Sequence, residues 1–419
     1  MLLATIFEAC ADRDRVNPLD PKNPDTLGRP TGLKIVSIQD TVTLSWNSID
    51  LDDLTGFQVY RKSEMQSDFV PIHLNPSDEN AFQDSDIDFG IEYSYQVSAV
   101  GIGFESARSD SVTVEPGPTF TWVGDNSTRG IFKLTHDSRH RILSVGQFAT
   151  ITDLESNPKT GEVWLIERIS LVNGNVRKIS PEGRVQEIVV RFTAPEDGAM
   201  DAVTGAFWIA DSRNGLVVKL DSTGNQMFSL TEFSNPVALS VDQRNGGCWL
   251  ANQETNEVVK VSSDGMEIDY SHVELSALQT LVVNSSDGSV WISDSSRVLK
   301  VDENGDPVLE ISETFEFVSV LAVDDLTGDL WIIDRGPSTV SKFTQSGTRD
   351  FEINGFFLPS DLSINLFDNS CLVADPGNQR LVRLSPNGET LHVFDGLRFP
   401  EVLAVQNEPL IESRNTSEN

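Results

Sequence analysis

Trp208-Ile-Ala-Asp-Ser-Arg-Asn-Gly-Leu-Val-Val-Lys219 decides the reading of most of this chain. An apolar run opens on Trp208 and closes on Asp211, a Gly-containing turn follows, and a second apolar run ends on Lys219. Two short apolar runs around such a turn read as an antiparallel strand pair. The unit recurs. Trp stands at 122, 164, 208, 249, 291 and 331, with gaps of 42, 44, 41, 42 and 40. Leu372 takes the same place a further 41 residues on, in Cys371-Leu-Val-Ala-Asp375. The apolar-x-basic run recurs too, at Lys133, Lys178, Lys219, Lys260, Lys300, Lys342 and Arg383. A Gly turn follows it at Gly183, Gly224, Gly265, Gly305, Gly347 and Gly388, with Ser138 in the first repeat.

Each repeat then adds a strand of mixed pattern and an apolar run ahead of the next Trp, as in Ala238-Leu-Ser-Val241 and Leu362-Ser-Ile364. Four short strands at a fixed period near 41 are the signature of a β-propeller blade. The first Trp unit lacks a preceding apolar strand, and Val402-Leu-Ala-Val405 has no Trp unit after it. The two fragments complement each other. The expectation over 119–406 is a seven-bladed propeller closed by its C-terminal strand, with six blades as the alternative. Val373-Ala-Asp375-Pro-Gly-Asn378-Gln-Arg380-Leu-Val-Arg383 resembles the NHL repeat, and 210–219 is a looser copy. That resemblance implies the propeller fold and leaves the function open, because propellers host lyases, lactonases and pure binders.

Residues 30–115 read differently. Val42-Thr-Leu44-Ser-Trp46, Phe57-Gln-Val59-Tyr60, Tyr93-Ser-Tyr95-Gln-Val97-Ser-Ala99 and Val112-Thr-Val114 alternate with period two between Gly, Asp, Asn and Pro clusters. This is the pattern of half-buried antiparallel strands in a small sandwich. Leu44-x-Trp46 and Gly90-x-x-Tyr93-x-Tyr95 resemble the fibronectin type III module, which implies a tyrosine corner at Tyr93 and a spacer role. The whole chain is therefore expected to be all-β, a fibronectin type III-like β-sandwich followed by the propeller.

The N-terminus ends a short apolar run on Ala9-Cys10, which resembles a bacterial lipoprotein signal with Cys10 as the lipidated residue. Residues 1–10 are then a signal remnant. Residues 11–29, rich in Pro and charge, are a flexible tether, and 407–419 are a polar disordered tail. The expected location is a bacterial cell envelope, lipid-anchored, or secreted.

The 419 residues carry 31 Lys plus Arg against 64 Asp plus Glu, a net charge of −33. Nucleic acid is excluded as a partner, since phosphate contacts need clustered cations. A membrane is reached only through a lipidated N-terminus. The three Cys, at 10, 248 and 371, form no disulfide scaffold. Cys248 and Cys371 each precede the Trp position and read as buried free thiols. No Gly-x-Ser-x-Gly elbow or phosphate loop is present. His73 falls in the sandwich, and His136, His140, His272 and His392 fall near turns or outer strands of the repeats.

One position invites a site. Three residues after each Trp equivalent stand Asp125, Glu167, Asp211, Asn252, Asp294, Asp334 and Asp375. Such a ring could hold a divalent cation such as calcium, or a polyhydroxylated ligand. Alternatively each side chain accepts backbone N–H bonds of its own repeat. Phe148, Phe233, Phe317, Phe357 and Phe399 recur before the inner strands, where they either rim the entry face or pack between blades. The functional expectation is a monomeric, non-catalytic binding or scaffold protein, with a protein or glycan partner on the propeller face and no cofactor. The alternative is a metal-dependent hydrolase or lyase using pore carboxylates.

Overall fold

The computed structural model describes residues 17–407 apart from residues 189, 272 and 295. Cys10, His272 and residues 408–419 lie outside the described residues. The chain divides into two units between Gly117 and Pro118.

The first unit is two antiparallel sheets around one core. Lys34–Ile38, Thr41–Ser45 and Ala81–Asp84 form one sheet; Val70–Pro76, Leu54–Ser63, Tyr93–Gly101, Phe104–Glu105 and Val112–Val114 form the other. Alternation buries Val42, Leu44, Trp46, Phe57, Val59, Tyr95 and Val97 between them. The Tyr93 hydroxyl accepts the backbone N–H of Asp88 at 3.0 Å, tying the corner before its strand. The sequence predicts a flexible tether over residues 11–29, of which 17–29 are described. They form a run of turns instead, in which Asn23 is buried and Leu19 packs against the sandwich core.

Among the described residues the second unit contains seven four-stranded antiparallel sheets. In one of them Pro400–Gln406, the last strand, pairs with Phe120–Asp125, so the chain's end completes the sheet that its start opens. The inner strands follow one another around a ring: Thr150–Ser156, Pro195–Met200, Pro236–Asp242, Thr280–Val283, Val318–Val323, Asp361–Asn365 and Pro400–Gln406, the last lying beside the first. This is a closed β-propeller, and closure removes the open edge that an incomplete ring would leave. Asn407, the first residue of the tail that the sequence predicts over 407–419, accepts the N–H of Leu366 at 2.8 Å and donates to Ile364 O at 3.0 Å, fastening the closing strand.

The repeat pattern is explained by packing. Trp122, Trp164, Trp208, Trp249, Trp291 and Trp331 are all buried and wedge between sheets. The Lys ending the third strand lies over the indole of its own sheet, with Nζ 4.6 Å from the Trp208 centroid for Lys219 and 5.4 Å from Trp249 for Lys260. The Nζ of Lys178, Lys219, Lys260 and Lys342 donates to an outer-turn carbonyl of the next sheet, as from Lys219 to Ser263 at 2.8 Å and from Lys260 to Glu303 at 2.7 Å. Where Leu372 replaces Trp, Lys gives way to Arg383, which pairs with Asp368 and Ser370. Cys248 and Cys371 are buried, free thiols, and burial pushes both upward in pKa. Asp302 accepts the N–H groups of Asn304 and Asp306 at 2.9 and 3.0 Å, so its loop is a turn.

Candidate functional site

The seven-residue ring of Asp125, Glu167, Asp211, Asn252, Asp294, Asp334 and Asp375 is buried and does one job in every blade. Each accepts the backbone N–H of the loop that leads into its own blade's inner strand. The donors are Arg398, Ala149, Thr193, Ser234, Ser276, Glu316 and Phe357, at 2.7–3.2 Å. Several also hold the neighbouring turn, as Asp211 does through Asn214 and Asp375 through Asn378 and Arg380. The oxygens are thus engaged by the protein's own backbone, and the ring fixes the loops at one end of the central channel. Asp211→Ala would strand the N–H groups of Thr193 and Ala194 and the Asn214 amide. A loss of about 2 kcal/mol is expected in a urea melt, and Asp211→Asn should lose less.

The loops so fixed differ in what they display. Two residues before the tied-down stretch ends, a large apolar side chain is buried in most blades: Phe148, Phe192, Phe233, Phe315, Phe356 and Leu397. Phe148 and Phe233 therefore pack between blades. The residue two further on is Thr150, Ala194, Asn235 and Ala277 in four consecutive blades, but Phe317, Leu358 and Phe399 in the other three. These three are 39%, 44% and 39% exposed, and Phe357 beside Leu358 is 56% exposed. Leu358 at φ +56° and Ala277 at φ +57° share a left-handed backbone that the other five positions do not adopt. The result is an apolar crescent over three adjacent blades at the channel mouth.

The inner strands carry a second departure. Register shifts just after Ile151, Pro195, Pro236, Val318 and Pro400 mark bulges, which re-aim the following side chains. The next position is Asp153, Asp197, Ala238, Thr280, Val320, Asp361 and Val402. Each Asp accepts an N–H from the neighbouring blade: Asp153 from Gly198 at 2.9 Å, Asp197 from Leu239 at 2.6 Å, and Asp361 from Leu403 at 2.7 Å. Two residues on lie Glu155, Ala199, Ser240, Val282, Ala322 and Ser363, which line a channel cavity of 270 Å³. Ser240 and Ser363 accept N–H groups of Val283 and Val405 in the next blade.

Asp153, Glu155, Asp197 and Asp361 are half-buried. Enclosure pushes the Asp153 carboxyl up to about 7 and that of Asp361 up to about 8. Glu155 and Asp197 rise well above the usual range, first through enclosure and then through the charge of the other channel acids. Among the described residues, no three channel carboxylates bring their oxygens within 4.8 Å of one another, so no chelating set forms there. His136 is buried beside Thr119, Asn365 and Arg383, and burial, followed by Arg383, lowers it to about 4.

The sequence signal for the channel acids is an Asp heading the inner apolar run, as in Asp153-Leu-Glu155 and Asp361-Leu-Ser-Ile364. That apolar run reads naturally from the Leu onward, which leaves the Asp outside it.

Comparison with known proteins agrees on the fold. No family model matches the chain. It is similar to a functionally unknown protein from Desulfotomaculum acetoxidans DSM 771, with a TM-score of 0.58, 12% identity, and coverage of 69% of this chain and 99% of that one. It is also similar to the β-propeller domain of Cps50 (Swd1) from Myceliophteria thermophila, with a TM-score of 0.53, 10% identity, and coverage of 62% and 90%. In sequence, 115 residues are 31% identical to an amylopullulanase of Thermoanaerobacterium thermosulfurigenes. The match takes in 26% of this chain and 6% of that protein, so the chain spans a small part of its relative's length.

Proposed function

We propose that this is a non-catalytic binding protein whose propeller docks a protein partner on the face that carries Phe317, Phe357, Leu358 and Phe399. The observation that carries the reading is that Phe317, Leu358 and Phe399 stand exposed on three adjacent blades at a loop position that is Thr150, Ala194, Asn235 and Ala277 on the other four. Aromatic and aliphatic anchors on loops already fixed by buried carboxylates bind with little ordering cost. The sandwich, with its fibronectin type III-like pattern, serves as a spacer. The NHL-like repeats supply the frame. The Ala9-Cys10 pair supports a lipid anchor on an envelope protein, and a Cys10→Ala variant is then expected to leave the membrane fraction.

A photo-crosslinking amino acid placed at position 357, and separately at position 193 on the equivalent loop of another blade, tests the binding face in the cells that make the protein. A discrete adduct from 357 and none from 193 is expected. Equal adducts from both, or none from either, would refute the proposed face.

A further inference from the structure

The cation that ends each third strand is enclosed between blades, and an enclosed ammonium needs a counter-charge. Four blades supply one. Glu162 meets Lys178 at 2.9 Å and Asp329 meets Lys342 at 2.9 Å, each from two residues ahead of the Trp. Asp287 meets Lys300 at 3.5 Å and Asp368 meets Arg383, each from four residues ahead of the Trp or its Leu equivalent. The Trp208 blade has Ala206 and Thr204 at these two places. Lys219 is 3% exposed there, and among the described residues it is in no ion pair. Two of its three N–H groups go to carbonyls, Ser263 at 2.8 Å and Gly246 at 3.5 Å, and the third has no acceptor among the described residues.

Where the carboxylate is missing there is a cavity of 530 Å³. Val203, Ala206, Lys219 and Met227 line it from one blade, and Gly246 and Ser263 from the next. That volume is typical of a small-molecule site, about 300–1,000 Å³. The Trp249 blade, with Gly247 in place of the acid, has a smaller cavity of 150 Å³ beside Lys260. In the Trp122 blade Phe120 takes the place, its ring centroid 4.1 Å from Lys133 Nζ. Val203 and Met227 are each more than half exposed and give the 530 Å³ cavity an apolar wall. The other charged groups that line it are held elsewhere. Asp201 accepts the N–H groups of Val203 and Thr204 at 3.0 Å, Asp221 those of Thr223 and Asn225 at 2.9 Å, and Asp264 that of Met266 at 3.0 Å. Arg244 pairs with Asp242 and Glu303.

We propose that this cavity binds a small monocarboxylic acid with an apolar body. Its carboxylate takes the place against Lys219 that Glu162 and Asp329 fill in their own blades, and its body lies along Val203 and Met227. A second negative charge meets Asp221 and Asp264, so phosphates and dicarboxylates fit less well. The site is built from turns that follow the inner strands, at the far end of the blades from the crescent, and does not depend on the binding face.

The test is titration of the full chain, by ligand-detected NMR and calorimetry, with soluble aliphatic and aryl monocarboxylates from propanoate to phenylpropanoate, each beside its neutral amide. Affinity is expected to grow with the apolar body, and the amides to bind about tenfold or more weakly, since they forgo a hydrogen bond between two charges. Ala206→Glu returns the repeat's own carboxylate to Lys219, so it should abolish binding and raise the melting temperature. Lys219→Gln should weaken binding about tenfold or more. Replacing Phe317, Phe357 and Phe399 together by Ser should leave it unchanged. A thermal melt verifies the fold of each variant. No binding by any acid of the series, or amides that bind as tightly as their acids, would overturn the inference. So would binding that survives Ala206→Glu or, if that variant does not fold, Lys219→Gln.

Discussion

Replacing Phe317, Phe357 and Phe399 together by Ser is expected to weaken binding of the propeller's partner at least about a hundredfold, with the melting temperature within about 2 °C of wild type. Each aromatic anchor buried at the centre of an interface contributes on the order of 1–2 kcal/mol or more, and three on adjacent blades act as one patch. The fold should tolerate the change, because these side chains stand at 39%, 56% and 39% exposure while their buried neighbours Phe315, Phe356 and Leu397 do the packing. The control is Phe148→Ser, at a buried position of another blade. It should lower the melting temperature sharply without a specific loss of binding by the folded fraction. Affinity measured by calorimetry and stability measured by scanning calorimetry separate the two cases. A triple variant that binds normally would take the crescent out of the account.

The second large effect concerns pH. The channel carboxyls titrate far above an unfolded Asp, whose pKa is about 3.9. The folded protein therefore holds protons that the unfolded chain has released. The contribution of these groups to stability is full below about pH 4 and is lost as pH rises through 7 for Asp153 and 8 for Asp361. Lys133, whose pKa burial lowers to about 8, works against this loss above about pH 7.5, because the unfolded chain then binds a proton that the fold does not. Other groups act elsewhere. Asp221, held down to about 2 by Thr223 and Asn225, matters only in acid. His136, kept neutral with its pKa lowered to about 4, favours the fold as pH climbs toward 6.5 and adds nothing above. Between pH 6.5 and 8.5 the channel acids dominate. The melting temperature is expected to fall by roughly 5 °C over that range, from a loss on the order of 2–3 kcal/mol. Asp153→Asn, Asp197→Asn and Asp361→Asn combined should flatten the slope, since Asn still accepts the N–H of Gly198, Leu239 or Leu403. A wild-type profile flat across this window would contradict the enclosure of these carboxyls.

The propeller is legible in the sequence because one buried demand repeats. Six blades carry a buried Trp wedge, with Leu372 in the seventh, and in four of them the Lys that ends the third strand is fastened to the next blade, so both residues mark the period. The same logic exposes the end-to-end closure, since Phe120–Asp125 and Pro400–Gln406 each lack what the other has. The ring from Asp125 to Asp375 is equally visible, and its repetition in all seven blades is the mark of a fastening. The channel acids are harder to read. A bulge sets their direction, and bulges leave no firm trace in a residue pattern. The crescent is half legible: the five Phe at loop ends stand out, but those that point into water differ from the buried ones only by a shift of one or two residues within the loop. Register of that kind is fixed by the N–H bonds to the carboxylate ring and becomes visible only in three dimensions.

The central claim is that the crescent is covered by a partner where the protein works. Hydroxyl-radical footprinting tests it directly, comparing oxidation of Phe317, Phe357 and Phe399 in the purified chain and in the cells that make it, with buried Phe148 and Phe233 as internal references. The account expects the three exposed rings to be oxidised readily in the purified protein and protected several-fold in the cells, while the two references stay low in both. Equal oxidation of the three rings in both settings would mean that the crescent stands bare, and would contradict it.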